Sequence, residues 1–85
     1  MTFSQPNPLA TSGEHILDAR NLLCPLPVLK ARKRLDAMAR GAVLRVIATD
    51  PAAQIDVPHF CNEQGHELVA QERQGDEFVF RIRRK

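Results

Sequence analysis

At 85 residues, 44% hydrophobic and 26% charged, the chain has material for one small domain of two layers. It holds no apolar run approaching the about 18 residues of a membrane helix, which argues against a membrane protein. The net charge of +2 is unevenly spread, with Lys30, Arg32, Lys33, Arg34 and Arg40 set against Asp36, and with Arg81, Arg83, Arg84 and Lys85 at the end. Two basic patches of this kind suit acidic protein partners or nucleic acid, or serve only as solvated faces of a small protein.

Met1 to Gly13 contains Ser4, Pro6, Pro8, Thr11 and Ser12 but neither Lys nor Arg, and no continuous apolar stretch. It reads as a flexible tail rather than a secretory signal, with the domain running from residue 14 to 85. The cytoplasm is then the expected compartment, where thiols stay reduced. Cys24 and Cys61 are accordingly expected as thiols. No CxxC pair is present and His15, His59 and His66 are scattered singly, so neither a metal nor a cofactor is expected.

Glu14 to Ala19, with apolar Ile16 and Leu17, predicts a first strand that runs into the polar turn Asp18-Ala19-Arg20-Asn21. From Pro25 to Arg40 the spacing becomes helical. Val28, Ala31, Leu35 and Met38 share one stripe, Lys30, Lys33 and Arg40 turn away, and Gly41 supplies a left-handed stop. Val43 to Ala48 is apolar and β-branched, the second strand. Strand, helix and strand make a right-handed βαβ unit with parallel strands. Cys24 then lies between the carboxyl end of the first strand and the amino end of the helix, where open α/β sheets place ligands.

Asp50-Pro51 repeats the start signal of a helix, an acceptor side chain followed by proline. Pro58 interrupts this region, so the expectation is an irregular turn over Ala52 to Val57 and a helix from about Pro58 to Gln64, stopped by Gly65. Ile55, Phe60 and Cys61 should face the sheet. Two last strands, His66 to Gln74 and Glu77 to Arg84, join at Gly75-Asp76 as a hairpin. In the second, Phe78, Phe80 and Ile82 should point inward while Val79, Arg81 and Arg83 meet water. The predicted fold is α+β: a two-layer sandwich of order βαβαββ, with two helices on one face of a four-stranded mixed sheet.

The chemistry concentrates at Cys24-Pro25-Leu26-Pro27. A residue before proline favours extended backbone, which suits Cys24 to the N-cap position and Pro25 to the first helical position. Pro27 has no N–H, so the Leu26 amide is the donor expected to point at the sulfur. The helix macrodipole favours an anion there, and Arg20, Lys30 and Arg34 could add positive potential; a thiolate at neutral pH is the expectation. The alternative is a small hydrophobe buried below the helix, since free cysteine is among the most buried types. Leu26 projects away from the apolar stripe and would stand exposed beside the cysteine as a docking contact. No base at hydrolase spacing, no resolving cysteine and no phosphate loop accompany the thiol, which leaves a group held on sulfur as the chemistry it suits. Cys61, next to Phe60 on an apolar helix side, reads as structural, Asp50 as a helix cap, and the histidines as surface residues.

The segments Leu17-Asp18-Ala19, Leu22-Leu23-Cys24-Pro25-Leu26-Pro27-Val28, Asp50-Pro51, Asp56-Val57-Pro58, Phe60-Cys61 and Gly65-His66-Glu67 together resemble the TusA/SirA sulfur-carrier family, over about residues 14 to 84. The resemblance implies that Cys24 accepts sulfur as a persulfide from a cysteine desulfurase or a rhodanese-like donor. It would then relay that sulfur to an acceptor protein in tRNA thiolation, molybdenum cofactor synthesis or sulfur oxidation. The chain would act as a sulfurtransferase that carries rather than turns over. Pro25, Leu26 and Pro27 would support the cysteine, and Arg20, Lys30, Lys33 and Arg34 would dock partners. Members of the tRNA route often carry an acidic residue where this chain has Leu26. A monomer without membrane or direct nucleic-acid contact is expected. The competing reading is a non-catalytic regulatory or RNA-binding module, suggested by the basic helix face and C-terminus.

Overall fold

Alternating apolar residues place the strands of the computed structural model, which describes residues 14–85, close to where the sequence puts them. The expected tail, 1–13, lies outside the described residues. The strands are β1 (Glu14–Ala19), β2 (Val43–Ala48), β3 (Glu67–Gln74) and β4 (Glu77–Arg83), and the helices are α1 (Leu26–Asp36) and α2 (Ala53–Gln64). The sheet has the order β1-β2-β4-β3. β1 and β2 are parallel, while β4 is antiparallel to both β2 and β3.

One face of the sheet builds the core. Leu17 and Ala19 of β1, Leu44, Val46 and Ala48 of β2, and Phe78, Phe80 and Ile82 of β4 are buried in a single cluster with Ala31 and Leu35 of α1 and Val57, Phe60 and Cys61 of α2. Register brings Val46 opposite Phe80 and Leu44 opposite Ile82, so large residues of adjacent strands stack on the helix side. The opposite face is less uniformly wet than expected. Arg81 and Arg83 are exposed there, but Val79, opposite Ile47, is buried. β3, an edge strand, is mostly exposed, carries Glu67, Glu72 and Arg73, and has a register shift between Leu68 and Ala70; charge and irregularity both blunt edge-to-edge pairing.

Both helices differ from expectation. α1 ends at Asp36 rather than Arg40, with Ala37 as its C-cap. Its eleven residues span about 16 Å, against about 20 Å for a six-residue strand, so the chain after Asp36 is left to turn back toward β2. Met38 is still buried, carried inward by the turn that follows. Gly41 is left-handed as expected (φ 83°), but it serves the entry to β2, where its N–H donates to the Arg84 carbonyl at 2.9 Å.

α2 runs unbroken through Pro58, and the irregular turn over Ala52 to Val57 does not exist. Proline removes the hydrogen bond to the carbonyl of Gln54, an exposed residue whose carbonyl can turn to water. Against that local loss stand Ala53, Val57, Phe60 and Cys61, buried at positions i, i+4, i+7 and i+8 along one stripe. Packing of that stripe holds the helix together across the proline. Ile55 falls off it and is 75% exposed, so it does not face the sheet, whereas Phe60 and Cys61 do as expected. Gly65 (φ 79°) ends the helix in the left-handed conformation, and the His66 amide closes onto the Cys61 carbonyl at 2.9 Å.

Candidate functional site

The loop between β1 and α1 is held by the end of β2. Asn21, itself left-handed (φ 65°), donates its amide to Thr49 Oγ1 at 2.9 Å, and the Cys24 amide donates to Asp50 Oδ2 at 2.7 Å. Asp50 Oδ1 accepts from the Ala52 amide at 3.1 Å, at the turn that opens α2. Asp50 is not the N-cap its sequence position suggests, a place taken by Ala52 without a side-chain cap bond; it closes the turn before α2 and anchors the cysteine backbone. These two bonds hold its carboxyl below the usual carboxylate range, the Cys24 amide contributing most. Replacing Asp50 by alanine should raise amide hydrogen exchange at Cys24 roughly tenfold while the β2–β4 ladder exchanges as before. Equal acceleration of both would mean that Asp50 acts on global stability instead.

Cys24 is exposed, which removes the reading of it as a core hydrophobe. It is not the N-cap. That place falls to Pro25, which makes no side-chain cap bond, and Pro27 occupies the second helical position. The Leu26 amide does not reach the sulfur. It donates to the Leu23 carbonyl at 2.8 Å, closing a turn across the cis Cys24–Pro25 peptide bond. A backbone N–H committed to that turn is not free for the thiol.

The sulfur has a different partner. Cys24 Sγ donates to Asp56 Oδ2 at 2.9 Å, across the interface between the α1 loop and α2. Hydrogen bonding to Asp56 comes first among the causes that push the Cys24 thiol above its ordinary value; partial desolvation and the nearby charges of Asp56 and Asp50 add to it. This direction runs against the expected thiolate: a helix N-terminus offers about half a positive charge, whereas the Asp56 carboxylate and the nearby Asp50 favour the protonated sulfur.

Beside Cys24 lies an open groove of about 310 Å³ between α1 and α2. Pro25, Val28, Leu29 and Phe60 contribute apolar lining, and Arg32, His59 and Glu63 polar lining. Leu23, Leu26 and Leu29 stand exposed around the thiol at 70%, 44% and 52%, so the apolar neighbour expected at Leu26 is present in company. Asp56, His59 and Glu63 lie on one helical stripe, at i, i+3 and i+7. Sequence reading assigned them no role, because a turn placed over Ala52 to Val57 breaks that spacing.

The basic residues singled out for docking line other surfaces. Arg20 Nε and Nη2 bind Asp18 at 2.9 and 3.0 Å, and Nη1 reaches Glu77 at 3.4 Å. Arg20 holds the Asp18 carboxyl down at about 2, chiefly through the side-chain bond. Lys30 shares a recess with Arg20, and Lys30, Lys33 and Arg34 border another beside Leu17 and Ala37. Arg34 Nη2 also donates to the Ile16 carbonyl at 3.0 Å. Arg32, which went unselected, is the basic side chain on the cysteine groove. Cys61 is sealed in the core, and burial pushes its thiol up to about 11. His59 sits 3.6 Å from Glu63, and His66 Nδ1 accepts from the Lys85 amide at 3.2 Å.

Known proteins are similar to this chain in sequence and in fold. The sequence model of a family described as sulfurtransferase TusA matches residues 15–84. The sulfur carrier protein TusA of Pseudomonas putida is 46% identical over 70 residues, covering 82% of this chain and 88% of that protein. The TusA of Pseudomonas aeruginosa is 43% identical over 74 residues, covering 87% and 94%. A crystal structure of a SirA-like protein from Desulfitobacterium hafniense superposes with a TM-score of 0.71 at 22% identity, over 80% of this chain and 93% of that one, a likeness of fold. With the match spanning nearly all of the sheet, both helices and the Cys24 loop, the chain belongs to the TusA sulfurtransferase family of sulfur carriers.

Proposed function

We propose that the protein carries sulfur as a persulfide on Cys24 and relays it from a donor protein to an acceptor protein. The observation that carries this reading is the contrast between its two thiols: Cys24 is exposed on a loop tethered through Asn21 and Cys24 itself, and Cys61 is enclosed. Loading joins Cys24 Sγ to the terminal sulfur of a donor persulfide and breaks the donor's S–S bond, whose electron pair leaves on the donor's inner sulfur. Unloading repeats the exchange, with an acceptor thiolate attacking the outer sulfur and Cys24 leaving. No net oxidation occurs in either step.

The donor is a cysteine desulfurase or rhodanese-like protein, and the acceptor belongs to tRNA thiolation, molybdenum cofactor synthesis or sulfur oxidation. The chain works as a monomeric relay rather than as an enzyme with independent turnover. A reducing cytoplasm suits a carrier whose thiol must be recovered after each cycle. Pro25 and Pro27 stiffen the loop, Leu26 meets the partner, and Arg20, Lys30, Lys33 and Arg34 offer positive charge to acidic protein surfaces. The RNA-binding reading has less support. Two of its C-terminal cations are engaged, Arg81 by Glu14 at 3.1 Å and Arg83 by Glu67 at 2.6 Å.

Incubation with a cysteine desulfurase and cysteine should add about 32 Da, one sulfur, to the peptide containing Cys24. The Cys24→Ser variant should gain nothing. Sulfur found instead on Cys61, or retained by Cys24→Ser, would defeat the assignment.

A further inference from the structure

A carrier thiol must shed its proton before its sulfur can attack, and the groove offers several groups to consider. Glu63 and His59 of α2 face each other across 3.6 Å. Arg32 of α1 is a permanent cation and takes up no proton. Asp50, on the connection from β2, spends both carboxylate oxygens on backbone amides, those of Cys24 and Ala52. Asp56 alone among these touches the sulfur, with Oδ2 at 2.9 Å from Sγ. It projects from α2, whose buried stripe of Ala53, Val57, Phe60 and Cys61 fixes the helix against the sheet. Cys24 is fixed through its amide on Asp50, whose other oxygen holds the turn that opens α2. One carboxylate thus registers the cysteine loop against the helix that carries Asp56, and sulfur and carboxylate lie within proton-transfer range.

Resting on the carrier reading above, we propose that Asp56 is the proton acceptor for sulfur loading at Cys24. In the resting state the thiol donates its hydrogen bond to the carboxylate. When a persulfide R–S–S–H reaches the groove, Cys24 Sγ bonds to the terminal sulfur, the S–S bond of the donor breaks, and the proton passes from Sγ to Asp56 Oδ2. The products are Cys24–S–S–H, neutral Asp56 and the thiolate R–S⁻, so charge, protons and sulfur balance. Proton return from Asp56 to R–S⁻ or to water restores the carboxylate. The same carboxylate keeps the unloaded thiol protonated, which suppresses attack on oxidants and alkylating agents, because those reactions follow the thiolate fraction.

This double role gives two readouts of opposite sign. In Asp56→Asn, alkylation of Cys24 by iodoacetamide at pH 7 should become faster, because the group that favours the thiol is gone. Loading from glutathione persulfide, followed as the gain of one sulfur mass, should become slower by about 100-fold. Its rate should also rise about tenfold per pH unit below the thiol pKa, where the unsubstituted protein should show a nearly flat profile. Asp56→Glu, which keeps a carboxylate, should recover loading in large part. Circular dichroism and the urea midpoint of each variant report its folding.

If both reactions accelerate in Asp56→Asn, the carboxylate only depresses reactivity and the proposal fails. It fails also if loading and its pH profile are unchanged, or if Asp56→Glu loads no better than Asp56→Asn. An unsubstituted protein that takes no sulfur on Cys24 from either glutathione persulfide or a desulfurase defeats the carrier reading itself, and the role of Asp56 falls with it. Normal loading with an unaltered Asp56→Asn profile removes Asp56 alone and leaves the carrier standing.

Discussion

Truncation of Phe80 to alanine is expected to cost about 3–5 kcal/mol of folding stability, because the side chain is fully buried and its removal leaves a cavity. Phe80 lies at the middle of β4, a strand paired on both sides, opposite Val46 on β2 and Gln71 on β3. It joins the cluster in which both helices rest on the sheet, so few neighbours can move to fill the space. Small domains have about 5–15 kcal/mol in total, and such a loss takes a large share of it. The urea midpoint should fall steeply at nearly constant m-value. Ile55→Ala, at a hydrophobic position left in solvent, should stay within about 0.5 kcal/mol of the starting protein. Comparable losses at the two positions would contradict the packing described.

The two cysteines should differ by orders of magnitude in reactivity. Iodoacetamide at pH 8 should label Cys24 in the native protein and reach Cys61 only after unfolding, since Cys24 is exposed and Cys61 is enclosed. Burial also gives Cys61 a linkage to stability whose sign is fixed. Its folded value of about 11 lies above its ordinary value of 9.0, so the folded state keeps the proton longer than the unfolded state. The associated stability is whole below pH 9 and is lost as pH rises toward 11. Urea midpoints measured across that interval should fall, and Cys61→Ala should show a smaller decline. An equal decline in the variant would assign the effect to other groups.

Much of the fold could be read from the chain because its local and global signals agree. The alternation of Phe78, Phe80 and Ile82, the β-branched run from Val43, and Gly75-Asp76 between two strands each have one economical solution. The helices exceeded local reasoning in opposite ways. For α1, apolar spacing persists to Met38 although the helix ends at Asp36, and Met38 is buried from the turn that follows. For α2, Pro58 looks prohibitive on its own, and four buried side chains outweigh it.

For the candidate site, the contrast of an outward Cys24 with an enclosed Cys61 was legible, and the electrostatics around the sulfur were not. Sequence neighbours supplied a helix dipole and the Leu26 amide. The groups that govern the sulfur, Asp50 and Asp56, are separated from Cys24 by 26 and 32 positions and meet it only through the parallel pairing of β1 with β2. Asp56 was also hidden by the misplaced turn, since an unbroken helix from Ala53 would have put it in line with His59 and Glu63.

The double use of Asp50 has an engineering consequence. One carboxylate ties the backbone of Cys24 with one oxygen and the first turn toward α2 with the other. The Cys24-Pro25-Leu26-Pro27 tetrapeptide is therefore not a portable cassette. Grafted onto another strand–helix junction it would deliver a thiol and two prolines, but neither the tether that aims the thiol nor the carboxylate that shares its proton. The smallest transferable unit runs from β1 to the second turn of α2, since it must include both aspartates and the parallel strand pair that aligns them.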